Sequence, residues 1–263
     1  MKIHHLRNAT FVIESKEYYI LIDPMLSGVG ELPTFTYFKH KPKKNPLVAL
    51  PKNSAEILAK VNRCLITHSQ KWGIDLLTHT DHLDKPGKTF LIKNNTATSS
   101  LKSDTPYLKK QGINITQELE YWKSKDFLGG KITPIPAKHG HGWMHHFMAN
   151  GAGYYIELIN EPSIYISGDT VLTEDVKRAL VELKPDITVV AAGNASLDFD
   201  GDILMPMEEI MEFIKLSPAH VIANHLEALN HCPITRVQLR DALLKNGLLD
   251  KVLIPDDGEK LEF

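Results

Sequence analysis

The chain has 263 residues, enough for one large α/β domain or two small ones with a substantial core. Its 30 basic and 32 acidic side chains leave a formal charge of −2, which argues against a broad nucleic-acid footprint. Only two cysteines, Cys64 and Cys232, are present, which excludes a disulfide framework; with no signal-peptide core in MKIHHLRNATFVIES and no apolar run of membrane-spanning length, a cytoplasmic chain is expected.

In chain order, ATFVIES (residues 9–15) and YYILID (18–23) are β-branched and aromatic runs around the polar Lys16-Glu17, a hairpin signal. A loop over 24–53 follows, rich in Pro and Gly and carrying Lys39, His40, Lys41, Lys43 and Lys44; structureless stretches this long are usually functional. The lysines are candidates for steering anions, or simply a solvated loop. SAEILAKV (54–61) reads as a helix with Ser54 as N-cap. RCLITHS (63–69) reads as a buried strand, and TPYLKKQGI (105–113) as a helix ending at Gly112. Strands are expected over 129–142, 151–159, 163–170, 186–192, 220–225 and 251–255. Helices are expected over 173–183 with Thr173 as cap, over 206–216 and over 235–247. No fixed-period repeat and no linker interrupts the order, so a single domain over 1–263 is the simplest reading.

The unusual count is 13 histidines. A lone His is more often a hydrogen-bonded structural residue than a ligand. Here, however, acids and imidazoles fall repeatedly just past the carboxyl end of an apolar run, the edge where α/β sheets build their sites. Asp23 follows YYILI, and His68 follows CLIT. His79, Asp81 and His82 follow LLT. His139 follows ITPIPAK, Asp169 follows IYISG, and His225 follows HVIAN.

Taken together, LIDP, HTDHLD, PAKH, SGDT and ANH resemble the metallo-β-lactamase superfamily, from roughly residue 3 to residue 255. The opening ATFVIES…ILIDPML is most similar to its L-ascorbate-6-phosphate lactonase-like branch. The resemblance implies an α/β fold of four layers, an αββα sandwich of mixed sheets with helices outside. It also implies a site for two divalent ions between the sheets, most simply zinc, with manganese or iron as alternatives. The signature is His-x-His-x-Asp-His, then a distant His, an Asp and a last His. Its final three positions match His79, Asp81 and His82; the later ones match His139, Asp169 as the bridging carboxylate, and His225. Asp23 matches an early Asp that orients a ligand, and Asp84 is expected to act in the same outer ring.

One position departs from the pattern. The first His should lie two residues before His79, where Leu77 stands. Either His68, in ITHS, is that ligand and residues 70–78 are an insertion, or the first ligand is lost and His68 is structural. Of the cluster HGHGWMHH, His139 is the preferred ligand and His141 its runner-up; His145 and His146 read as a polar loop. His231 and Arg236 are candidate substrate contacts, against the plainer readings of a turn cap and a helix face. His4, His5 and His220 read as surface or strand-end residues, and Cys64 as a small buried apolar side chain.

The function implied by the resemblance is a hydrolase whose metal-activated water attacks a small, anionic ester or lactone, with Asp81 also accepting or relaying a proton. The alternatives are a metal-dependent phosphodiesterase or nuclease, and a degenerate non-catalytic scaffold. A small-molecule substrate is expected, with neither nucleic acid nor membrane as partner; the related lactonases add a homo-oligomer as an expectation.

Overall fold

The computed structural model describes residues 1–70, 79–148, 151–199 and 201–263. The described strands pair into two seven-stranded sheets. The first runs, in spatial order, β14 (Lys260–Glu262), β1 (Lys2–Arg7), β2 (Thr10–Ser15), β3 (Tyr18–Ile22), β4 (Arg63–Leu65), β5 (Ala97–Leu101) and β6 (Ile115–Leu119). The second runs β13 (Val252–Leu253), β12 (His220–Asn224), β11 (Ile187–Ala191), β10 (Ile164–Ile166), β9 (Ala152–Glu157), β8 (Gly130–Pro136) and β7 (Lys125–Phe127). Each sheet starts antiparallel and turns parallel: β3 to β6 are parallel in the first, β10 to β13 in the second.

Side chains alternate between strand faces, and both faces are used. Ile20 and Ile22 of β3 and Leu65 of β4 point between the sheets, against Tyr154, Ile156, Ile166 and Val189. Leu21, one residue out of phase, packs outward on Ile57 of α1 (Ser54–Leu58). Cys64 and Ile66 pack outward on Leu91 of α2 (Lys85–Lys93) and Leu108 of α3 (Thr105–Lys110). On the other side, Val190, Val221 and Ala223 meet Val176 of α4 (Glu174–Arg178), Phe213 of α5 (Met207–Leu216) and Leu239 of α6 (Arg236–Lys245). The layers are therefore helix, sheet, sheet, helix. Fully burying an aliphatic side chain contributes about 1.5–3 kcal/mol. Three in a row, as at Ile20, Leu21 and Ile22, outweigh the roughly 1–2 kcal/mol of backbone entropy each residue loses. No helix among the described residues is long and apolar enough to cross a membrane.

Several local expectations are corrected. Asn53, not Ser54, is the residue before α1, and neither side chain caps it: Asn53 donates to the Gly258 carbonyl, and the Ser54 amide closes a turn onto Pro51. The strand expected over 63–69 stops at Leu65, because the Thr67 amide turns aside to the Asp23 carboxylate. α4 passes into a π turn at Ala179–Leu183 and ends at Lys184. His4 and His5 are buried within β1, where they pair with Glu14 and Asp257. β5, with its ATSSL sequence, and α2, with Pro86 and Gly87 in its first turn, carry no apolar periodicity that would announce them. Gly87 is required where it stands: a Cβ there would lie 1.9 Å from the Pro24 carbonyl oxygen.

The 24–53 loop is held from inside. The fully buried Arg7 guanidinium donates to the carbonyls of Val48 at 2.8 Å and of Met25 and Ser27 at 3.0 Å. Asn230 and Asn45 tie the same loop to the segment after β12 at 2.8 and 3.0 Å. These anchors bring Phe35 to one end of the sandwich.

Candidate metal centre

At that end, the carboxyl ends of β3, β4, β8, β10 and β12 converge. Sharp turns aim their side chains inward. Asp23 (φ 44°) and His225 (φ 60°) are both left-handed, a conformation costing a non-glycine residue roughly 1–2 kcal/mol. Bonds on each side hold them there. Asp23 accepts the Thr67 amide at 2.8 Å, and His225 donates its amide to the Asn8 carbonyl at 3.1 Å.

Two groups of side chains result, each with ligand atoms within 4.8 Å of one another: His68, His79 and His139, and Asp81, His82, Asp169 and His225. The His68 ring lies 4.5 Å from that of His79, 4.9 Å from that of His139 and 4.1 Å from that of His82. Asp169 stands between the groups. Its Oδ2 is 3.0 Å from His82 Nε2, 3.5 Å from His225 Nε2 and 4.0 Å from His139 Nε2. Residues 71–78, which include Leu77 and most of the suspected insertion, lie outside the described residues; the ends that flank them meet through a 2.9 Å bond from the His79 amide to the Ser69 carbonyl.

A chain of hydrogen bonds behind the cluster sets the tautomers. Asp23 Oδ2 accepts from His82 Nδ1 at 2.8 Å and from the Thr67 hydroxyl at 2.6 Å. That hydroxyl has spent its one proton, so its 2.9 Å contact with His68 Nδ1 requires His68 to donate. Both imidazoles therefore turn a lone pair at Nε2 toward the centre. Buried Nε2 atoms of His68, His82 and His225 and the Oδ1 atom of Asp169 have no hydrogen-bond partner among the described residues. Buried polar atoms seldom go unpaired, and convergent imidazole and carboxylate donors are what divalent transition metals take.

The electrostatics point the same way. Burial works against a charged His82, yet Asp169, Asp23 and Asp81 outweigh it and raise its pKa well above the usual value. Burial would raise Asp169, but His82 and His225 hold it well below the carboxylate range. The carboxylates thus demand a positive charge, which a divalent ion can supply in place of a proton. Burial, with neighbouring imidazoles, pushes His68 well down and His79 down to about 3, so both are neutral donors at ordinary pH.

Comparison with known proteins gives the family. The profile of the "Beta-lactamase superfamily domain" matches residues 18–225. The chain belongs to the metallo-β-lactamase superfamily. The UPF0173 protein YddR of Bacillus subtilis (strain 168) is 31% identical over 266 residues, covering 100% of both chains. A UPF0173 metal-dependent hydrolase of Flavobacterium johnsoniae is 26% identical over 74% of this chain and 73% of its own. Among solved structures, an isothiocyanate hydrolase from Delia radicum gut bacteria superposes with a TM-score of 0.87 at 31% identity, covering 100% of this chain and 99% of that one. A possible metal-dependent hydrolase from Veillonella parvula gives 0.87 at 27% identity, covering 99% and 98%. The αββα fold is that of the superfamily, and the chain is a metal-dependent hydrolase within it.

Against the superfamily signature, some side chains stand elsewhere than the sequence suggests. Among the described residues Asp84 orients no ligand: its oxygens accept the Gly87 amide, capping α2, and the Ser27 amide, both at 2.7 Å. Arg236 is not brought to the cluster. Its donors go to Glu227 at 2.6 Å, Asp257 at 2.7 Å and the Pro255 carbonyl at 2.9 Å, a clamp on the segment after His225. His141 is exposed and pairs with Glu209, and the His145 and His146 rings lie 3.8 Å apart, tilted by 38°; neither ligand group includes any of the three. Lys41 and Lys43 border a separate surface hollow beside Glu227. His231 does reach the centre: buried and held down to about 4 by that burial, it borders the cavity over His79 and Asp81. The sequence patterns do not mark Thr67, Asn8, Phe35, Cys232 or Asp104 as site residues. Asp104 fixes Ser69, beside His68, through bonds of 2.9 and 2.6 Å. Only the strand-end position of Thr67, next to His68, could have drawn notice.

Proposed function

We propose that the chain holds two divalent ions, zinc first among them, and hydrolyses small, uncharged, mainly apolar electrophiles, with isothiocyanates as the leading class. His68, His79 and His139 would hold one ion; Asp81, His82 and His225 would hold the other, with Asp169 shared. When bound, such ions polarise the substrate and lower the pKa of a water.

One observation carries the substrate class. The cavity over the cluster, about 140 Å3, is walled by Phe35, Met148, Leu197 and Ile203, and among the described residues no Lys or Arg lines it. A carboxylate or phosphate group lying away from the two ions would need a cationic partner in that wall. An anionic substrate, as the sequence suggests, is therefore the weaker reading. The similarity to an isothiocyanate hydrolase, at 31% identity over nearly both whole chains, supports the choice. The reaction balances as R–N=C=S + H2O → R–NH2 + O=C=S.

The chain's own part is positioning. Apolar walls take the R group and exclude bulk water. Asp81, at the cavity floor and kept ionised by His82 and His79 against its burial, accepts the proton that the attacking water gives up. Neutral esters and lactones offer a similar electrophilic carbon and are the second reading, favoured by the same apolar wall.

The test is a rate panel on the zinc-loaded protein: benzyl isothiocyanate, a neutral γ-lactone, an anionic sugar-phosphate lactone and bis-p-nitrophenyl phosphate. The expected result is the highest kcat/KM on the isothiocyanate, abolished by chelation and restored by zinc. Faster turnover of either anionic substrate would overturn the reading of the cavity.

A further inference from the structure

Cys232 lies between two imidazoles, one of which, His231, borders the cavity. Its Sγ is 3.4 Å from His225 Nδ1 and 4.0 Å from His231 Nδ1. The thiol is buried and closely confined: a Cβ added at Gly193 would lie 2.1 Å from the His225 carbonyl oxygen and 3.0 Å from Cys232 Cβ, so only glycine lets these groups meet. The two imidazoles face different tasks. His225 Nε2 points at Asp169 and belongs to the ligand group; His231 borders the substrate cavity.

We propose that Cys232 is a positioning residue that sets the tautomers of both imidazoles at once. His225 faces the ligand group through Nε2, so as a ligand it keeps its lone pair there, carries its proton at Nδ1 and donates it to sulfur. The thiol's single proton is then available to His231 Nδ1. That acceptance leaves the His231 proton on Nε2, on the side of the ring turned from the thiol, where it donates a hydrogen bond to the substrate. The reverse order would place a proton on His225 Nε2 and spoil a ligand. Cys232 therefore couples metal retention to substrate polarisation without touching either. The inference rests on the hydrolase reading above, but its first test does not need a substrate.

That test is imidazole 15N NMR of the zinc-loaded, full-length protein. His231 is expected with an unprotonated Nδ1 and a protonated Nε2, and Cys232→Ala is expected to give a tautomer mixture. The opposite His231 tautomer in the parent, or an unchanged spectrum in Cys232→Ala, overturns the proposal. Zinc affinity on the His225 side should fall about 10-fold in Cys232→Ala and recover in Cys232→Ser, whose hydroxyl also accepts and donates.

Kinetics supply a second arm. At saturating zinc and with benzyl isothiocyanate, Cys232→Ala should lower kcat about 10-fold with KM nearly unchanged. In a His231→Ala background the same change should cost less than about 2-fold, because the group it acts through is gone. Equal losses in both backgrounds would overturn the role through His231. If the parent shows no isothiocyanate turnover, the substrate reading fails by itself, while the spectra and zinc titration still decide Cys232.

Discussion

His68, His79 and His139 gather three imidazoles, whereas Asp81, His82, Asp169 and His225 gather two imidazoles with two carboxylates. Behind the first group stands a hydroxyl, Thr67 on His68; behind the second stands a carboxylate, Asp23 on His82. The contrast is electrical. A divalent ion entering the imidazole group meets neutral donors; one entering the carboxylate group neutralises charge already buried there. The carboxylate group should therefore fill first and hold its ion more tightly. Asp23 serves both, because the Thr67 hydroxyl that orients His68 donates to the same oxygen as His82.

The change that should erase the contrast altogether is Asp169→Ala. Asp169 lies within 4.0 Å of nitrogens from both groups, so both ions should be lost together and activity should fall by more than the ~100-fold seen when an outer partner is removed. Metal analysis by mass spectrometry checks this; an unchanged metal-to-protein ratio would remove Asp169 from its bridging position.

Asp81→Asn should sharpen the contrast instead. The side chain borders the cavity without supporting the core, so the fold should persist, with a Tm within a few degrees of the parent. The ion of the carboxylate group should leave first and turnover should drop by about 100-fold, using the loss of an outer partner as a lower guide. Full metal and full turnover would sink the assignment.

On the imidazole side, His68→Ala should weaken one ion by about 10-fold or more, and Thr67→Val by up to about 10-fold, since the latter only frees the ring to turn. His141→Ala, on an exposed His paired with Glu209, serves as the control. Equal zinc isotherms for the parent and His68→Ala would reduce the centre to its carboxylate half.

The smallest effect concerns the clamp that steadies the segment after His225. Burial would raise the Asp257 pKa, but His5 and Arg236 lower it below the ordinary carboxylate value. A depressed folded-state pKa contributes stability above the unfolded value of about 3.9, and that contribution is lost as pH falls through the folded value. The Tm difference between the parent and Asp257→Asn should thus be constant near neutrality and shrink below about pH 4. A difference that grows on acidification would show that Asp257 is not held as the anion.

Much of the layering was legible before any contact was known. Runs such as YYILI and ITVVA are apolar on both faces, the pattern of central strands covered on both sides. The HTDH cluster at 79–82, with Asp23, His139, Asp169 and His225 at apolar-run ends, was legible for the same reason: parallel strands deliver their carboxyl ends to one edge. β5 was not legible, because Thr98, Ser99 and Ser100 are polar and buried only through their neighbours. Nor was Arg236, whose charge reads equally well as a substrate contact until Glu227 and Asp257 are seen to consume its donors.

By itself, the amino-acid order determined which chemistry the chain could hold: imidazoles and carboxylates at strand ends, in a sequence that matches a known signature. Only the tertiary structure decided which of them meet. His68 lies eleven positions before His79, yet their rings stand 4.5 Å apart. Cys232 has no motif, yet touches two imidazoles. Asp84 sits inside the motif, yet caps a helix. The reason is the range of the forces that write each pattern. Periodicity and turn chemistry act over a few neighbours and survive in the one-dimensional order. Which lone pair faces the centre depends on the register of strands far apart in the chain, and that register is set by packing across two sheets at once.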